Sequence, residues 1–133
     1  MPAGVAYLDS SAFLKLVVTE SQSRALRRRL RDWPDRAASV LLRVEVVRAL
    51  RRSGNEAQIE NARRLFTTLH MLRIDEPLLD QAGDLGPRVI RSLDAIHVAA
   101  ALSIGAELAV AITYDERQRA AFENAGIAVV APA

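Results

Sequence analysis

The chain has 133 residues without cysteine, half of them hydrophobic and 26% charged, and its formal net charge is +2. This length and composition suit a single folded domain over residues 1–133, and the lack of cysteine excludes disulfides and thiolate metal sites. No apolar run approaches the roughly 20 residues of a membrane helix, and the N-terminal MPAGVAYLD lacks the basic start of a signal peptide, so we predict a cytoplasmic protein without membrane association.

The first part of the chain predicts one strand and two helices. GVAYL (4–8) is typical of a buried strand, and a helix begins after it near Ser10 or Ser11, both favourable N-cap residues. A basic helix that contains RALRRRLRD (24–32) ends before Pro34, because proline disfavours helix at the residue that precedes it. Such an arginine run usually marks a solvated helix face, although arginine also suits phosphate contacts.

The middle of the chain predicts two further strands around a pair of helices. AASVL (37–41) is the second strand, and LRVEVVRALRR (42–52) predicts a helix. Gly54-Asn55 separates this helix from another over EAQIENARRLFTTLH (56–70), in which His70 would stand at the C-terminal end. MLRI (71–74) then predicts the third strand.

The last part of the chain alternates helices and strands in the same way. LLDQAG (78–83) predicts a short helix closed by glycine, and SLDAIHVAAAL (92–102) predicts an apolar helix. ELAVAITY (107–114) is the clearest strand, DERQRAAFENAG (115–126) a helix, and IAVVA (127–131) the fifth strand. Five strands separated by helices predict a parallel sheet with helices on both faces.

Four acidic residues fall at strand ends or beside apolar helix surface. Asp9 directly follows the first strand and Asp115 the fourth, so the two are neighbours if the first strand is central in the sheet. Asp94 stands near the N-terminus of the apolar helix 92–102. Glu45 shares the spacing of the apolar residues of its own helix, which places it on the buried stripe.

Each acid also has a purely structural interpretation. Asp9, Asp94 and Asp115 are all placed to cap a helix N-terminus or to interact with its dipole. For Glu45, which lies inside a helix, the structural alternative is a buried ion pair with an arginine, either a repositioned Arg43 or Arg48 or one from another element.

The joint arrangement of the four acids favours a metal site. If these carboxylates converge, their repulsion requires protonation or bound cations. Oxygen ligands without cysteine suit Mg²⁺ or Mn²⁺, as one ion or as two ions about 3.5–4 Å apart that promote attack of water on a phosphodiester.

Four segments together resemble the PIN-domain ribonucleases, from Ala6 to Pro132. The first two are YLDSSAFLKLVVTE (7–20) and LLRVEVVRALRR (41–52), the segment with the glutamate. The others are SLDAIHVAAAL (92–102) and AITYDERQRAAFENAGIAVVAP (111–132). A short chain of this kind is most similar to the VapC-type toxins of type II toxin–antitoxin pairs.

The resemblance implies a three-layer α/β/α sandwich with a five-stranded parallel sheet of order 3-2-1-4-5. It also implies an Mg²⁺- or Mn²⁺-dependent endoribonuclease, with RNA as substrate, an antitoxin protein as partner and a homodimer as assembly. The residues that it assigns to the site are, as metal ligands and catalytic acids, Asp9, Glu45, Asp94 and Asp115, and, as supporting residues, Ser11, Thr113 and Glu116. For Glu116 a helix-dipole role is the alternative.

The sequence also has to be compared with a ligand role for His97 and with two alternative functions. His97 lies one turn after Asp94, and we interpret it as a packed structural residue rather than a ligand. A signalling receiver domain also gathers acids at strand ends, but it requires a lysine after the fifth strand, and the chain has no lysine beyond Lys15. A PIN-like module that binds RNA or protein without cleavage is the second candidate function.

Overall fold

The computed structural model describes residues 4–133 and contains five strands and seven α-helices in that range. The strands are β1 (Val5–Leu8), β2 (Asp35–Ser39), β3 (His70–Leu72), β4 (Leu108–Ile112) and β5 (Val129–Val130). The helices are α1 (Ser10–Val17), α2 (Ser23–Leu30), α3 (Leu42–Arg52), α4 (Ile59–Phe66), α5 (Glu76–Asp84), α6 (Ser92–Leu102) and α7 (Glu116–Asn124). Two short 3₁₀ turns cover Glu56–Gln58 and Gly105–Glu107.

All strand pairs are parallel, and the strand order is β3-β2-β1-β4-β5. Both the parallel sheet and its order are therefore confirmed. The central strand β1 pairs with β4 in a register that sets Leu8 opposite Ile112. Asp9 and Thr113, which follow these two residues, consequently emerge side by side at the carboxyl edge of the sheet.

Helices pack on both faces of the sheet and bury it completely at its centre. Along β1, Ala6 and Leu8 pack against residues of α1 and α2, whereas Tyr7 packs on the opposite face against Phe122 and other residues of α6 and α7. This alternation follows from the pleat of a strand, and burial on both faces explains why the central strands β1 and β4 are apolar throughout.

A further cluster joins α1, α3 and α4 over the β2 side of the sheet. At its centre the rings of Phe13 and Phe66 stack, with centroids 5.0 Å apart and an interplanar angle of 21°. This cluster holds α3 against α1, and it thereby sets the position of Glu45 relative to the residues that follow β1.

The strand bounds differ from the predicted ones by a few residues at most ends, and three further differences concern His70, the helix predicted over 56–70 and Gly83. His70 opens β3 and does not end a helix. The helix predicted over 56–70 is a 3₁₀ turn followed by α4, which ends at Phe66. Gly83 lies inside α5, which ends one residue later, so glycine does not close that helix.

The longest helices, α3 and α6, have 11 residues each. In the part of the chain that the structure describes, no helix has the length and hydropathy required to cross a bilayer.

Candidate active site

Asp9 is the most deeply buried of the four acids, with 4% of its surface exposed. It is the N-cap of α1, and its Oδ1 accepts hydrogen bonds from the Ala12 backbone N–H at 3.0 Å and the Ser11 hydroxyl at 2.7 Å. Its Oδ2 accepts a short hydrogen bond from the Thr113 hydroxyl. Burial raises the pKa of Asp9, and these three donors offset part of that effect.

Ser11 and Thr113 join the end of β1 to the end of β4. The Ser11 Oγ also accepts a hydrogen bond from the Tyr114 N–H, and it lies 3.3 Å from the Thr113 Oγ1. The Thr113 Oγ1 in turn accepts a hydrogen bond from the Asp115 N–H. The two hydroxyls therefore hold the Asp9 carboxylate and the backbone of Asp115 in a fixed position relative to each other.

Glu45 reaches the same edge of the sheet from α3. Its Oε1 accepts hydrogen bonds from the Ser10 hydroxyl at 2.9 Å and from the His97 Nε2 at 2.8 Å. Burial raises the pKa of this carboxyl, but the hydrogen bond and charge of His97 and the Ser10 hydroxyl outweigh it, so that the pKa lies below its ordinary value. Glu45 is consequently an anion at neutral pH.

The partner of Glu45 is therefore His97, and not Arg43 or Arg48, the arginines of its structural alternative. The imidazole is 2% exposed, and the Tyr7 hydroxyl lies 2.6 Å from its Nδ1. Our sequence interpretation of His97 as a packing residue missed the contact with Glu45. A histidine in an otherwise apolar helix was the available signal, because buried ring nitrogens require hydrogen-bond partners.

Asp94 lies in the first turn of α6, but it does not cap the helix. Arg91 occupies the N-cap position, and no side chain accepts a capping hydrogen bond there. The Asp94 Oδ2 is buried without a hydrogen-bond partner among the described residues. Burial raises the pKa of Asp94 and the charge of Asp115 raises it further, while Arg117, His97 and Arg91 lower it. The capping interpretation of Asp94 is thus wrong.

Asp115 is the N-cap of α7, as its structural interpretation predicted. Its Oδ1 accepts hydrogen bonds from the Arg117 N–H at 2.9 Å and the Gln118 N–H at 3.3 Å. The Gln118 side chain donates to the backbone oxygen of Asp94 at 3.2 Å, which ties α7 to the start of α6. Glu116 follows as the exposed first residue of α7.

The contacts link the four acids in two pairs around one edge of the sheet. Asp9 accepts a hydrogen bond from Ser11, and Glu45 accepts one from the adjacent Ser10. The negative charge of Asp115 acts on Asp94. Within residues 4–133, no three Asp, Glu or His side chains stand close enough to form a complete metal site on their own. The protein thus offers carboxylate oxygens from four elements, including one buried oxygen without a donor.

Comparison with protein families matches residues 6–123 to the PIN domain. The chain is 48% identical over 126 residues to ribonuclease VapC46 of Mycobacterium tuberculosis (strain ATCC 25618 / H37Rv). The matched region covers 95% of this chain and 96% of that protein. It is 39% identical over 130 residues to ribonuclease VapC47 of Mycobacterium tuberculosis (strain CDC 1551 / Oshkosh), with the same two coverages.

Solved structures share the fold at lower sequence identity. Mycobacterium tuberculosis VapC20, described as a sarcin-ricin loop cleaving toxin, has a TM-score of 0.75 at 21% identity, over 96% of this chain and 99% of that one. A chain of a toxin–antitoxin complex from Klebsiella pneumoniae has a TM-score of 0.70 at 21% identity, over 96% and 98% of the two chains. Together with the sequence matches, these likenesses show that the chain belongs to the PIN-domain family, within the group of VapC ribonucleases.

Proposed function

We propose that this protein is the endoribonuclease toxin of a toxin–antitoxin pair and that it cleaves RNA at a divalent metal site formed by Asp9, Glu45, Asp94 and Asp115. The observation that carries the proposal is the Asp94 Oδ2, a buried carboxylate oxygen without a hydrogen-bond donor. A buried carboxylate oxygen without a donor is unfavourable unless a proton or a cation neutralises it. Asp115 adds a second negative charge beside Asp94, and a cation would compensate both charges at once.

The available ligands suit Mg²⁺ or Mn²⁺. All four side chains offer hard oxygen ligands, and the chain has no cysteine to favour a softer metal. Mg²⁺ typically keeps several waters and takes only one or two protein carboxylates together with substrate phosphate. A site whose acids stand in two pairs is compatible with that mode, for one ion or for two.

The protein residues have distinct tasks in such a site. Glu45 stays anionic because its pKa is lowered, and Ser11 and Thr113 hold the Asp9 carboxylate in one orientation. When bound, a divalent ion supplies positive charge that makes water more acidic and stabilises the phosphate oxygens. In the overall hydrolysis a water oxygen bonds to phosphorus and the bond to the 3′ oxygen breaks, which leaves a 5′-phosphate and a 3′-hydroxyl. Glu116, exposed at the start of α7, is a peripheral ligand or a helix-dipole residue.

The proposed substrate is RNA, and the proposed partners are an antitoxin and a second copy of this chain. The curated relatives are named ribonucleases, and one structural neighbour is a toxin–antitoxin complex, which supports the first two assignments. The homodimer is carried over from the family resemblance, and the cytoplasmic location from the composition of the sequence.

The test is cleavage of a pool of structured RNAs by the purified protein in Mn²⁺ or Mg²⁺, with Asp94→Asn beside the wild type. We expect the wild type to cut, and both EDTA and Asp94→Asn to abolish the cleavage. Asp80→Asn is the matched control, because Asp80 is an exposed acid on α5.

Equal cleavage by the wild type and Asp94→Asn would remove Asp94 from the site. If the wild type does not cut the pool but binds RNA, the result favours the module that binds without cleavage. Mn²⁺ binding to the wild type, measured by calorimetry, then decides whether the four acids form a metal site at all.

A further inference from the structure

His97 connects three elements at the base of the four acids. It is carried by α6, its Nδ1 lies 2.6 Å from the hydroxyl of Tyr7 in β1, and its Nε2 lies 2.8 Å from the Oε1 of Glu45 in α3. The Tyr7 ring packs edge-on against the imidazole, with centroids 5.9 Å apart. With 2% of the residue exposed, the imidazole has little freedom to reorient.

The hydrogen-bond partners define which nitrogen of His97 carries the proton. Glu45 is anionic and accepts only, so the Nε2 must be the donor to it. On the other side of the ring, the Tyr7 hydroxyl is hydrogen-bonded to the Nδ1 at 2.6 Å. These two contacts hold the imidazole at both nitrogens and direct the Nε2 at Glu45.

Both donors to Glu45 act on the same oxygen. The Ser10 hydroxyl and the His97 Nε2 each donate to the Oε1, so that the Oε2 has no donor within residues 4–133. A carboxylate fixed through one oxygen loses the rotational freedom of its end group while the lone pairs of the other oxygen stay available. This is the arrangement expected of a metal ligand oriented by a neighbouring histidine.

We propose that His97 is a positioning residue, which holds the Glu45 carboxylate through its Oε1 and leaves the Oε2 for the cation. Tyr7 completes the arrangement, because its hydroxyl anchors the other nitrogen of the ring. The inference rests on the proposed function, since it requires Glu45 to be a metal ligand. In this arrangement α6 has two roles. It carries Asp94, and it orients Glu45 through His97, which lies one turn after Asp94.

Two substitutions separate positioning from simple packing. In His97→Gln the amide nitrogen lies as many bonds from the backbone as the Nε2, so the donor to Glu45 is retained. In His97→Asn the amide lies at the level of the Nδ1, so the polar group stays beside Tyr7 but no longer reaches Glu45. Both changes remove the ring, and both keep a polar group in the cavity.

The measurements are Mn²⁺ affinity by calorimetry, kcat and KM for cleavage of an RNA that the wild type cuts, and thermal unfolding of each variant. For His97→Asn we expect Mn²⁺ affinity and kcat to fall by about 10- to 100-fold with KM for RNA unchanged, a typical loss for a residue that orients a ligand. His97→Gln should stay nearer to the wild type than to His97→Asn. Equal losses in the two variants, or none in either, would overturn the proposal.

A measurement on the metal-free protein distinguishes a failure of this inference from a failure of the proposed function. A long-range ¹H–¹⁵N spectrum of the metal-free wild type should show a proton on the Nε2 of His97, and an Nε2 without a proton would contradict the positioning of Glu45. If the wild type binds no Mn²⁺ although the Nε2 carries the proton, the proposed function fails and the metal role of His97 fails with it, while its hold on Glu45 stands. If His97→Asn does not fold, the affinity of His97→Gln decides alone, because a retained donor must preserve Mn²⁺ binding.

Discussion

The hydroxyl of Thr113 donates a short hydrogen bond to the Oδ2 of Asp9, and so joins the residue after β4 to the residue after β1. The two side chains are 104 residues apart in sequence, and both are almost completely buried. The bond depends on the parallel pairing of Leu8 with Ile112, which brings the two strand ends to the same edge. The position of the buried carboxylate therefore follows from the register of the sheet.

Replacing Thr113 by valine should destabilise the metal-free protein by about 1–3 kcal/mol, the range for a buried polar group that loses its partner. Valine has nearly the same shape, but it removes the donor to Asp9 and the acceptor of the Asp115 N–H. Urea unfolding in EDTA measures the change. Thr113→Ser is the control, because it loses one methyl group and keeps the hydroxyl. Equal stability of the valine and serine variants would show that the hydrogen bond contributes little.

The metal-free protein should become more stable at neutral pH when Asp94 is replaced by asparagine. Because the pKa of Asp94 is raised in the folded state, the folded protein binds this proton more tightly than the unfolded chain. The stabilisation that the protonated Asp94 contributes is fully present below its ordinary pKa of 3.8. It is lost as the pH rises through the pKa that Asp94 has in the folded protein. Asp94→Asn removes that loss.

The measurement is thermal unfolding in EDTA from pH 3.5 to 7.5. The wild type should be less stable than Asp94→Asn at pH 7, and the difference should shrink toward pH 3.5. Added Mn²⁺ should stabilise the wild type by mass action and leave the variant unchanged. A constant difference across this pH range would mean that Asp94 is not held in an unfavourable ionised state.

Local patterns were sufficient to predict the order of the elements, because each strand contains or adjoins a short apolar run between helical segments. For α3 the predicted and observed bounds agree. The helix predicted over 56–70 extended too far, since Thr67 and Thr68 turn their hydroxyls back to the carbonyl oxygens of Arg64 and Leu65 after α4. Such competition of side-chain oxygens with the helix is a weak signal when only the sequence is read.

Pairings between distant residues were harder to predict than the elements. Spacing along α3 placed Glu45 on a buried stripe, but its partner His97 is 52 residues away in another helix. Asp94 had the sequence position of a capping residue, and only the structure shows its Oδ2 without a donor. Sequence spacing indicates which residues face inward, whereas the identity of a partner depends on how the helices pack.

Truncation of Phe66 to alanine should destabilise the protein by about 3–5 kcal/mol, since it removes a large buried side chain and leaves a cavity. Phe66 is 2% exposed and stacks on Phe13, so this contact holds α4 against α1. Val44→Ala on α3 is the control, because Val44 is 61% exposed, and it should change stability by less than about 0.5 kcal/mol. Similar losses in the two variants, in urea unfolding, would contradict the packing of this cluster.

Gly4 should tolerate substitution less well than Gly126, although both have positive φ angles of +81° and +79°. For Gly126→Ala the space around the added Cβ is open, so we expect only the conformational strain of a left-handed residue, about 1–2 kcal/mol. For Gly4→Ala the added Cβ would lie 2.7 Å from the Glu107 backbone oxygen, beside the register shift between β1 and β4. Backbone cannot move there without disturbing the strand pair that positions Asp9. Urea unfolding of both variants tests the order, and a Gly4→Ala protein as stable as Gly126→Ala would show that this contact relaxes freely.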